Sequence, residues 1–204
     1  HSHCQIYHQV GDCIMPREGV FARVLHGGWV TVGDTMEITT EPIPLDAAVI
    51  TASDKGARGE REDKSGAAIR EMLAEAGYHV AGFNIVPDEK EVLMREMTLW
   101  ADRGVALILT TGGTGFSVRD VTPEATRAVI ERETPGIPEA MRALSMQITP
   151  RAMLTRAAAG IRKRSLIVNL PGSEKAVREC LEFILPQLQH GVEILRGDTG
   201  ECAR

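Results

Sequence analysis

The feature that most constrains the fold is an alternation, from Leu45 onward, of short apolar runs with amphipathic stretches. Apolar runs bounded by turn residues are typical of strands, and apolar residues repeated every three or four positions are typical of helices. Repeated strand–helix units with short connections predict an α/β fold in three layers, an open and mostly parallel sheet with helices on both faces. Strands are predicted at 47–50, 79–86, 105–109 and 165–170, and helices at 64–76, at 89–102, from Thr122 and after Ser173.

Residues 1–41 have a different character, because short strand-forming runs alternate there with turn residues rather than with helices. This pattern predicts a short N-terminal β segment that precedes the α/β domain. Pro42 and Pro44, in a short polar stretch, suit a linker between the two, so the α/β domain is expected over 45–198. Within the β segment, strands are predicted at 19–25 and 29–32, with a hairpin turn at 26–28 and a further turn at Gly33-Asp34.

Prolines and capping residues indicate where several helices begin or break. Thr122 followed by Pro123 predicts a capped helix start with proline at the first helical position. Pro186 predicts that the last helix is bent or divided. The region before the strand at 165–170 is expected to be helical but interrupted, by Pro135, Pro138 and Pro150.

Composition excludes several classes of partner. A net charge of −5 offers no general attraction to nucleic acid, and the one basic run, Arg162-Lys163-Arg164, is expected to be a solvated turn before a strand. No apolar run reaches the roughly 18 residues of a membrane span, so no membrane association is expected. Four cysteines form no dense disulfide pattern and no export signal is visible, which together predict a cytoplasmic protein.

Ligands of open α/β sheets gather at the carboxyl ends of the strands, so the residues after each strand are the candidate site. The most informative segment is the glycine loop, residues 110–124, in which Thr111-Gly112-Gly113-Thr114-Gly115 leaves a buried strand. Glycines allow close approach of the backbone to a ligand, and successive N–H groups can bind a phosphate. A plain turn explains the same glycines equally well.

Two common nucleotide motifs are excluded by single residues. A Walker-type loop before Lys64-Ser65 requires glycine at positions 58 and 63, where the chain has Arg58 and Asp63. A dinucleotide fingerprint from Gly113 requires glycine at position 118, where Val118 stands. A nucleotide bound by this chain therefore needs a different cradle.

Asp88 and Asp120 follow two different strands, and the predicted sheet brings both to one edge. A pair of carboxylates there can hold Mg²⁺ together with substrate phosphates, because this ion prefers a few carboxylate oxygens and keeps several waters. Structural roles remain open for both residues. Asp88 is also placed to cap the next helix, and Asp120 to shape its loop or to pair with Arg119.

Two further loops offer polar groups beside helix starts. Asp63-Lys64-Ser65-Gly66 can bind ligand oxygens through Ser65, or can cap the first helix. Leu170-Pro171-Gly172-Ser173 links a strand to a helix and offers a second anion site, or is a structural turn.

Taken in order along the chain, these motifs resemble those of the molybdopterin adenylyltransferase family of the Mog and MoaB type, over residues 45 to about 198. The glycine loop joined to Arg119-Asp120-Val121-Thr122-Pro123-Glu124 is the most specific of them. The others are Ser53-Asp54, Asp63-Lys64-Ser65-Gly66, Pro87-Asp88-Glu89 and Asn169-Leu170-Pro171-Gly172.

The resemblance implies transfer of AMP from Mg·ATP to molybdopterin, giving adenylyl-molybdopterin and pyrophosphate. It implies that Asp88 and Asp120 are the catalytic, Mg²⁺-binding pair. It also implies homotrimers or hexamers and a molybdenum-insertion enzyme as a partner. The substrate-binding residues implied are Ser53, Asp63, Ser65, Thr111, Gly112, Gly113, Thr114, Gly115, Pro171, Gly172 and Ser173.

Residues 1–41, with Cys4-Gln5-Ile6-Tyr7 and Val10-Gly11-Asp12-Cys13-Ile14-Met15-Pro16-Arg17-Glu18-Gly19-Val20-Phe21, resemble the end of a MOSC domain, a β-rich module also tied to molybdenum cofactor. The resemblance covers only the end of that domain. Two alternatives to an enzyme stay open at this stage. One is a carrier that binds molybdopterin without catalysing transfer, and the other is an interaction module that docks through its N-terminal segment. Mg²⁺-dependent release of pyrophosphate from ATP separates the enzyme from the carrier.

Overall fold

The computed structural model describes Trp29, residues 31–35 and residues 45–197. The chain divides into two units, His1–Glu41 and Pro42–Arg204. Most of the predicted MOSC-like segment, 1–41, lies outside the described residues.

In the first unit, the described residues form a turn. The Thr31 amide donates to the Asp34 carboxylate over 2.8 Å, and Gly33 has a φ of +103°. The turn predicted at Gly33-Asp34 is confirmed. The strand predicted at 29–32 is wrong at Trp29, Thr31 and Val32, because that hydrogen bond closes the turn from Thr31 onward.

In the second unit, six strands of the described residues form one sheet, in the order β2-β1-β3-β6-β5-β4. Neighbours among β2, β1, β3 and β6 are parallel, whereas β5 and β4 extend the sheet antiparallel. The predicted open and mostly parallel sheet is therefore confirmed. The strands are β1 (Asp46–Ala52), β2 (His79–Val86), β3 (Leu107–Thr111), β4 (Arg132–Glu133), β5 (Ala159–Arg162) and β6 (Ser165–Leu170).

Helices follow most of the strands, as the alternating pattern predicts. Among the residues described, none of them is long and apolar enough to cross a membrane. The helices are α1 (Asp54–Ala57), α2 (Lys64–Glu75), α3 (Lys90–Asp102), α4 (Thr122–Val129), α5 (Gly136–Met146) and α6 (Glu174–Arg196), with a 3₁₀ helix at Pro150–Leu154.

Two apolar cores, one on each face of the sheet, make the fold three-layered. Along β3, Leu107 and Leu109 face one core and Ile108 faces the other, because successive strand residues point to opposite faces. The first core packs α2, α5 and α6 on the sheet, and the second packs α3 and α4. Helices on both faces explain why β3 is buried along its whole length.

The predicted ends of β3 and α4 are each slightly wrong. The strand predicted at 105–109 forms at Leu107–Thr111, because the buried Thr110 and Thr111 continue the ladder with β1 and β6. Thr122 does not cap α4 but is its first residue, after Val121. The Thr122 amide donates to the Gly113 carbonyl over 3.1 Å, which fixes the helix start against the glycine loop.

Pro186 lies within α6, which runs from Glu174 to Arg196 as one helix. The prediction of a divided helix is therefore wrong. An internal proline costs about 3 kcal/mol. Burial of Ile184, Leu185 and Leu188 on either side of it offsets that cost, because each buried side chain of this kind contributes about 1.5–3 kcal/mol.

The region between α4 and β6 contains two strands, β4 and β5, that the sequence pattern did not predict. The basic run predicted as a turn does form the turn between β5 and β6, with Lys163 at a φ of +52°. Lys163 also forms an ion pair with Asp102 at 2.8 Å.

Asn169, at the end of β6, is fully buried and joins four segments through hydrogen bonds. Its Nδ2 donates to the hydroxyls of Thr110 on β3 and Thr126 on α4, over 2.9 and 2.7 Å. Its Oδ1 accepts the Ala158 amide, just before β5, over 3.1 Å. One amide side chain thus satisfies polar groups from the sheet, from α4 and from the segment just before β5.

Replacing Asn169 by Ala should lower the free energy of unfolding by about 2–4 kcal/mol, because a cavity forms and the Ala158 amide loses its acceptor inside the protein. Urea unfolding followed by circular dichroism measures this. The matched control is Asn84→Ala, since Asn84 is partly buried on β2 and bonds only Glu96; it should cost less than about 1 kcal/mol. Equal losses in the two variants would refute the assigned role of Asn169.

Candidate active site

The floor of the candidate site is made of backbone from three loops, at Ala52, Gly112 and Gly172. Gly112 has a φ of +90°, and a Cβ there would collide with the Ala52 carbonyl oxygen. A Cβ at Gly172 would lie 3.3 Å from the Gly112 Cα. The Thr111 hydroxyl donates to the Pro171 carbonyl over 2.6 Å and ties the last two loops together. The carboxyl ends of β1, β3 and β6 therefore meet with main chain against main chain.

Above this floor lies a cavity of about 910 Å³. Ten of the thirteen site residues predicted from the sequence line it. They are Ser53, Asp63, Ser65, Asp88, Thr111, Gly112, Gly113, Asp120, Gly172 and Ser173.

The three remaining residues, Thr114, Gly115 and Pro171, do not line the cavity. Thr114 is buried and its carbonyl accepts the Arg156 amide over 2.9 Å. A Cβ at Gly115 would lie 2.9 Å from the Asp120 carboxylate, so glycine lets that side chain fold back over the loop. These residues support the cavity wall from outside.

Asp88 does not cap the helix that follows it. The cap residue of α3 is Glu89, and its side chain makes no capping hydrogen bond. Instead, Asp88 Oδ2 accepts the Asp54 amide over 2.8 Å, and the Asp88 amide donates to Asp54 Oδ1 over 3.1 Å. This reciprocal pair joins the loops after β1 and β2. Within residues 45–197, Asp88 Oδ1 has no hydrogen-bond donor.

The surroundings of Asp88 disfavour its charged form. Burial raises the pKa of the Asp88 carboxyl, and the nearby Asp54 and Asp120 carboxylates raise it further, against the Asp54 amide and Arg119, which lower it. Asp54 itself is different, because the hydrogen bonds from Arg119, at 3.0 and 2.7 Å, lower the pKa of its carboxyl. A cation in the cavity would therefore stabilise Asp88 more than Asp54.

Asp120 shapes its own loop, as one of the two structural alternatives predicts. Its Oδ2 accepts the Ser117 amide over 2.7 Å, and its amide donates to the Ser117 carbonyl over 2.9 Å. The other alternative, a pair with Arg119, is wrong, because Arg119 reaches across to Asp54. The turn still leaves Asp120 in the lining of the cavity, so loop shaping and ligand binding are compatible.

The residues around the start of α2 have structural partners as well. Asp63 caps α2, since its Oδ1 accepts the Gly66 amide over 2.9 Å, and its Oδ2 accepts the Thr51 hydroxyl over 2.9 Å. Capping of α2, predicted as an alternative to ligand binding at this loop, is therefore confirmed for Asp63. Ser53 likewise caps α1 by accepting the Gly56 amide over 3.0 Å.

The cavity lining carries an excess of negative charge. Six of its residues are acidic and two are basic, Arg61 and Lys64. Within the described part of the chain, no group of three or more His, Cys, Asp or Glu side chains is arranged to hold a metal ion. The protein therefore offers a pair of carboxylates rather than a complete metal cage. The acidic residues are Glu60, Glu62, Asp63, Asp88, Asp120 and Glu174.

The contacts of three residues at the site are not predicted from the sequence. Asp54 and Arg119 form a pair that links the loop after β1 to the glycine loop, and both stand within motifs singled out from the sequence. Arg156, just before β5, holds the glycine loop from outside the cavity. Nothing in the sequence around Arg156 indicates this contact, because it is an isolated arginine in an irregular segment.

Replacing Gly112 by Ala should destabilise the protein more than a change at a comparable glycine. Gly104→Ala is the matched control, since Gly104 has a φ of +79° and no atom within 4 Å of its Cβ position. In both variants, backbone strain should lower the free energy of unfolding by about 1 kcal/mol. Gly112→Ala should lose about 1–3 kcal/mol more, because its Cβ meets the Ala52 backbone. Urea unfolding of both variants measures the difference, and equal losses would contradict the close packing of the floor.

Asp88→Asn should stabilise the protein at pH 7. Because the folded state raises the pKa of Asp88, the stability contributed by its neutral form is present below the unfolded pKa of about 3.9 and is lost as pH rises through the folded pKa. The unfolding free energy of Asp88→Asn should therefore exceed that of wild type at pH 7 and approach it near pH 3.5.

Asp54→Asn is the control with the opposite sign. Its lowered pKa means that the charged form contributes stability above the unfolded pKa, which is lost as pH falls through the folded pKa. Asp54→Asn should therefore be less stable than wild type at pH 7. Urea unfolding between pH 3.5 and 7.5 tests both, and a destabilised Asp88→Asn at pH 7 would contradict the assigned electrostatics.

Comparison with known proteins supports the motif-based assignment. The chain matches the family model described as "Probable molybdopterin binding domain" over residues 48–190. It is 42% identical over 153 residues to the molybdopterin adenylyltransferase of Helicobacter pylori (strain J99), an alignment that covers 74% of this chain and 87% of that protein. It is 45% identical over 154 residues to the molybdenum cofactor synthesis protein cinnamon of Drosophila melanogaster, covering 74% of this chain but 26% of that protein.

Solved structures give the same result. The crystal structure of the molybdopterin biosynthesis enzyme MoaB from Thermus thermophilus matches with a TM-score of 0.71 and 50% sequence identity. The match covers 75% of this chain and 97% of that one. The resemblance inferred from the motifs of residues 45–198 is thereby confirmed, and the chain belongs to the molybdopterin-binding domain family that contains the molybdopterin adenylyltransferases of the Mog and MoaB type.

Proposed function

We propose that this chain transfers the adenylyl group of Mg·ATP to molybdopterin and releases pyrophosphate. The observation that carries the proposal is the convergence of Asp88 and Asp120, from loops after two different strands, in one cavity with a backbone floor. The Helicobacter pylori relative, which is 42% identical, is named molybdopterin adenylyltransferase, and this supports the same reaction here.

The residues of the cavity fit a magnesium ion shared with a substrate. Mg²⁺ is usually bound by one or two carboxylates, with substrate phosphates and waters completing its shell. Asp88 Oδ1 lies 3.3 Å from the Cβ position of Gly113 and has no donor among the described residues. Burial and two carboxylate neighbours disfavour the charge on Asp88, so a cation there would relieve the repulsion. When bound, the ion would neutralise charge on the phosphates of ATP.

The chain's own groups would bind and orient the two anionic substrates. Gly112 and Gly113, with φ values of +90° and +62°, turn the backbone so that it can approach a phosphate closely. Ser173 and Glu174, at the start of the 23-residue helix α6, line the cavity, and the Ser173 side chain makes no capping hydrogen bond, so the first amides of α6 remain open to a phosphate. Arg61 and Lys64 are exposed at the rim and can meet the outer phosphates.

The proposed reaction needs no side-chain nucleophile. An oxygen of the molybdopterin phosphate attacks the α-phosphorus of ATP, a new P–O bond forms, and the bond to the β-phosphate oxygen breaks. Pyrophosphate leaves with the electrons of that bond. Catalysis then depends on holding the attacking and leaving oxygens in line and on stabilising the charge of the phosphates. The rigid floor supports the first of these requirements, and Mg²⁺ held by the two carboxylates would supply the second.

The wider assembly is also a proposal. We infer that the chain forms homotrimers or hexamers, which the exposed apolar side chains Phe116, Val118 and Met153 support. A molybdenum-insertion enzyme is the proposed partner that takes the product. The much longer Drosophila relative, of which a homologous segment forms only a part, supports such a connection. A reducing cytoplasmic location agrees with the free, buried Cys180.

Asp120→Asn should reduce adenylylation by at least about 100-fold, because it removes a charge at the reacting phosphates while keeping an acceptor for the Ser117 amide. The assay measures pyrophosphate release from ATP with molybdopterin and Mg²⁺. Asp102→Asn is the matched control, since Asp102 lies at the end of α3 away from the cavity and pairs with Lys163; its activity should match wild type.

Two results would contradict the proposal. Wild-type turnover by a folded Asp120→Asn protein would remove the acidic pair from the mechanism. Binding of molybdopterin by the wild-type protein with no Mg²⁺-dependent release of pyrophosphate would favour the carrier function instead.

A further inference from the structure

Arg156 lies outside the cavity, between the 3₁₀ helix and β5, and holds the glycine loop at several points. Its Nε donates to the Gly115 carbonyl over 2.7 Å. Its two Nη groups donate to the Asp120 carbonyl and to the Glu124 carboxylate. Its own amide donates to the Thr114 carbonyl over 2.9 Å. One residue therefore contacts both sides of the segment that ends in Asp120.

The segment 115–120 depends on polar contacts for its shape. Phe116 and Val118 are 69% and 95% exposed in the single chain, so apolar burial within one protomer contributes little to holding the segment in place. Inside the segment, the Asp120 carboxylate and the Ser117 amide close a turn. Arg119, within the segment, anchors it to Asp54, and Arg156 anchors it from outside to the body of the domain. Of the two arginine side chains, only that of Arg156 donates to backbone carbonyls of the segment.

Arg156 does not touch the cavity. It is absent from the residues that line the cavity, and it lines a separate recess behind the loop together with Arg127 and Arg142. Any effect of Arg156 on substrates in the cavity must therefore pass through the loop. Asp120 is the lining residue of the cavity whose own carbonyl Arg156 binds.

We propose that Arg156 is a positioning residue for adenylyl transfer, which sets the place of the Asp120 carboxylate in the cavity by binding the Gly115 and Asp120 carbonyls. The proposal rests on the proposed function, since it assigns the work of Arg156 to the acidic pair. Displacement of a catalytic group by about 1 Å can lower a rate about 100-fold, so a lost anchor should be measurable.

The planar guanidinium explains why arginine is needed at this position. Its N–H groups point in fixed directions within one plane and reach three acceptors of the loop at once. The ammonium of lysine is a single point charge, so it can keep the pair with Glu124 but not both carbonyl bonds. Arg156→Lys should therefore retain the charge and lose most of the positioning.

The test compares Arg156→Met and Arg156→Lys with wild type in the full chain. In both variants, kcat should fall about 10- to 100-fold and the Mg²⁺ concentration for half-maximal pyrophosphate release should rise. The KM for ATP should change less than about threefold, because the other phosphate contacts remain. Millimolar guanidinium should restore part of the activity of Arg156→Met and none of that of Asp120→Asn.

A second readout does not depend on activity. Hydrogen exchange of the substrate-free protein should show faster exchange of the Ser117 amide in Arg156→Met, because the Asp120 carboxylate that accepts it loses its support. The control is Arg127→Met. Arg127 lines the same recess and pairs with Glu133 at 3.9 Å, without contact to the 115–120 segment. It should leave kcat, the Mg²⁺ midpoint and the exchange rate unchanged.

The outcomes separate this proposal from the proposed function. An active Asp120→Asn protein, or a wild-type protein without Mg²⁺-dependent release of pyrophosphate, refutes the proposed function itself. An inactive Asp120→Asn beside an Arg156→Met protein with wild-type kcat and Mg²⁺ midpoint refutes the positioning role alone. A lower melting temperature with unchanged kcat and Mg²⁺ midpoint also refutes it. Should Arg156→Met fail to fold, the same criteria apply to Arg156→Lys.

Discussion

The structure depends on the close contact of main chain with main chain where β1, β3 and β6 end. A Cβ at Gly112 would collide with the Ala52 carbonyl, and a Cβ at Gly172 would lie 3.3 Å from the Gly112 Cα, so the three strand ends pack closely together. The Thr111 hydroxyl, bonded to the Pro171 carbonyl, closes the same contact from the side. Polar residues that follow each strand can then face a common space, because the strands beneath them do not shift.

The cavity lining and its proposed substrates carry charge of the same sign. Both ATP and a molybdopterin phosphate are anionic, yet most charged side chains of the lining are acidic. A folded protein tolerates this arrangement because single amides stabilise individual carboxylates, as the Ser117 amide does at Asp120 and the Gly66 amide does at Asp63. Asp88 also accepts an amide, that of Asp54, but burial still raises the pKa of its carboxyl. A cation bound beside Asp88 would offset the cost of burying its charge.

Much of the fold follows from apolar periodicity alone. β2 and β6 form where their runs predict them, because each run ends at a turn or helix start. β3 is shifted by two residues and ends at Thr111, since Thr110 and Thr111 are polar in isolation but bond Asn169 and Pro171 once the sheet forms. β4 and β5 have only two and four residues, and tertiary pairing rather than local pattern decides them.

The candidate site is predictable where a residue's neighbours in sequence decide its role. The glycine loop and Asp120 belong to one continuous motif, so their proximity follows from the chain itself. The role of Asp88 cannot be predicted in this way. Capping of α3 and bonding to Asp54 place its side chain in different directions, and only the fold selects between them. Arg156 lies far along the chain from its acceptors, and no local signal reports such a contact.

The backbone floor and the side chains of the rim respond differently to substitution. Substitution cannot easily retune groups that are peptide amides, so the part of the cavity built from Gly112 and Gly172 is fixed in chemistry. The rim at Glu60, Arg61 and Glu62 is exposed and consists of side chains. A change in what the cavity binds therefore has to be made at the rim, because the backbone floor has no side chain to replace.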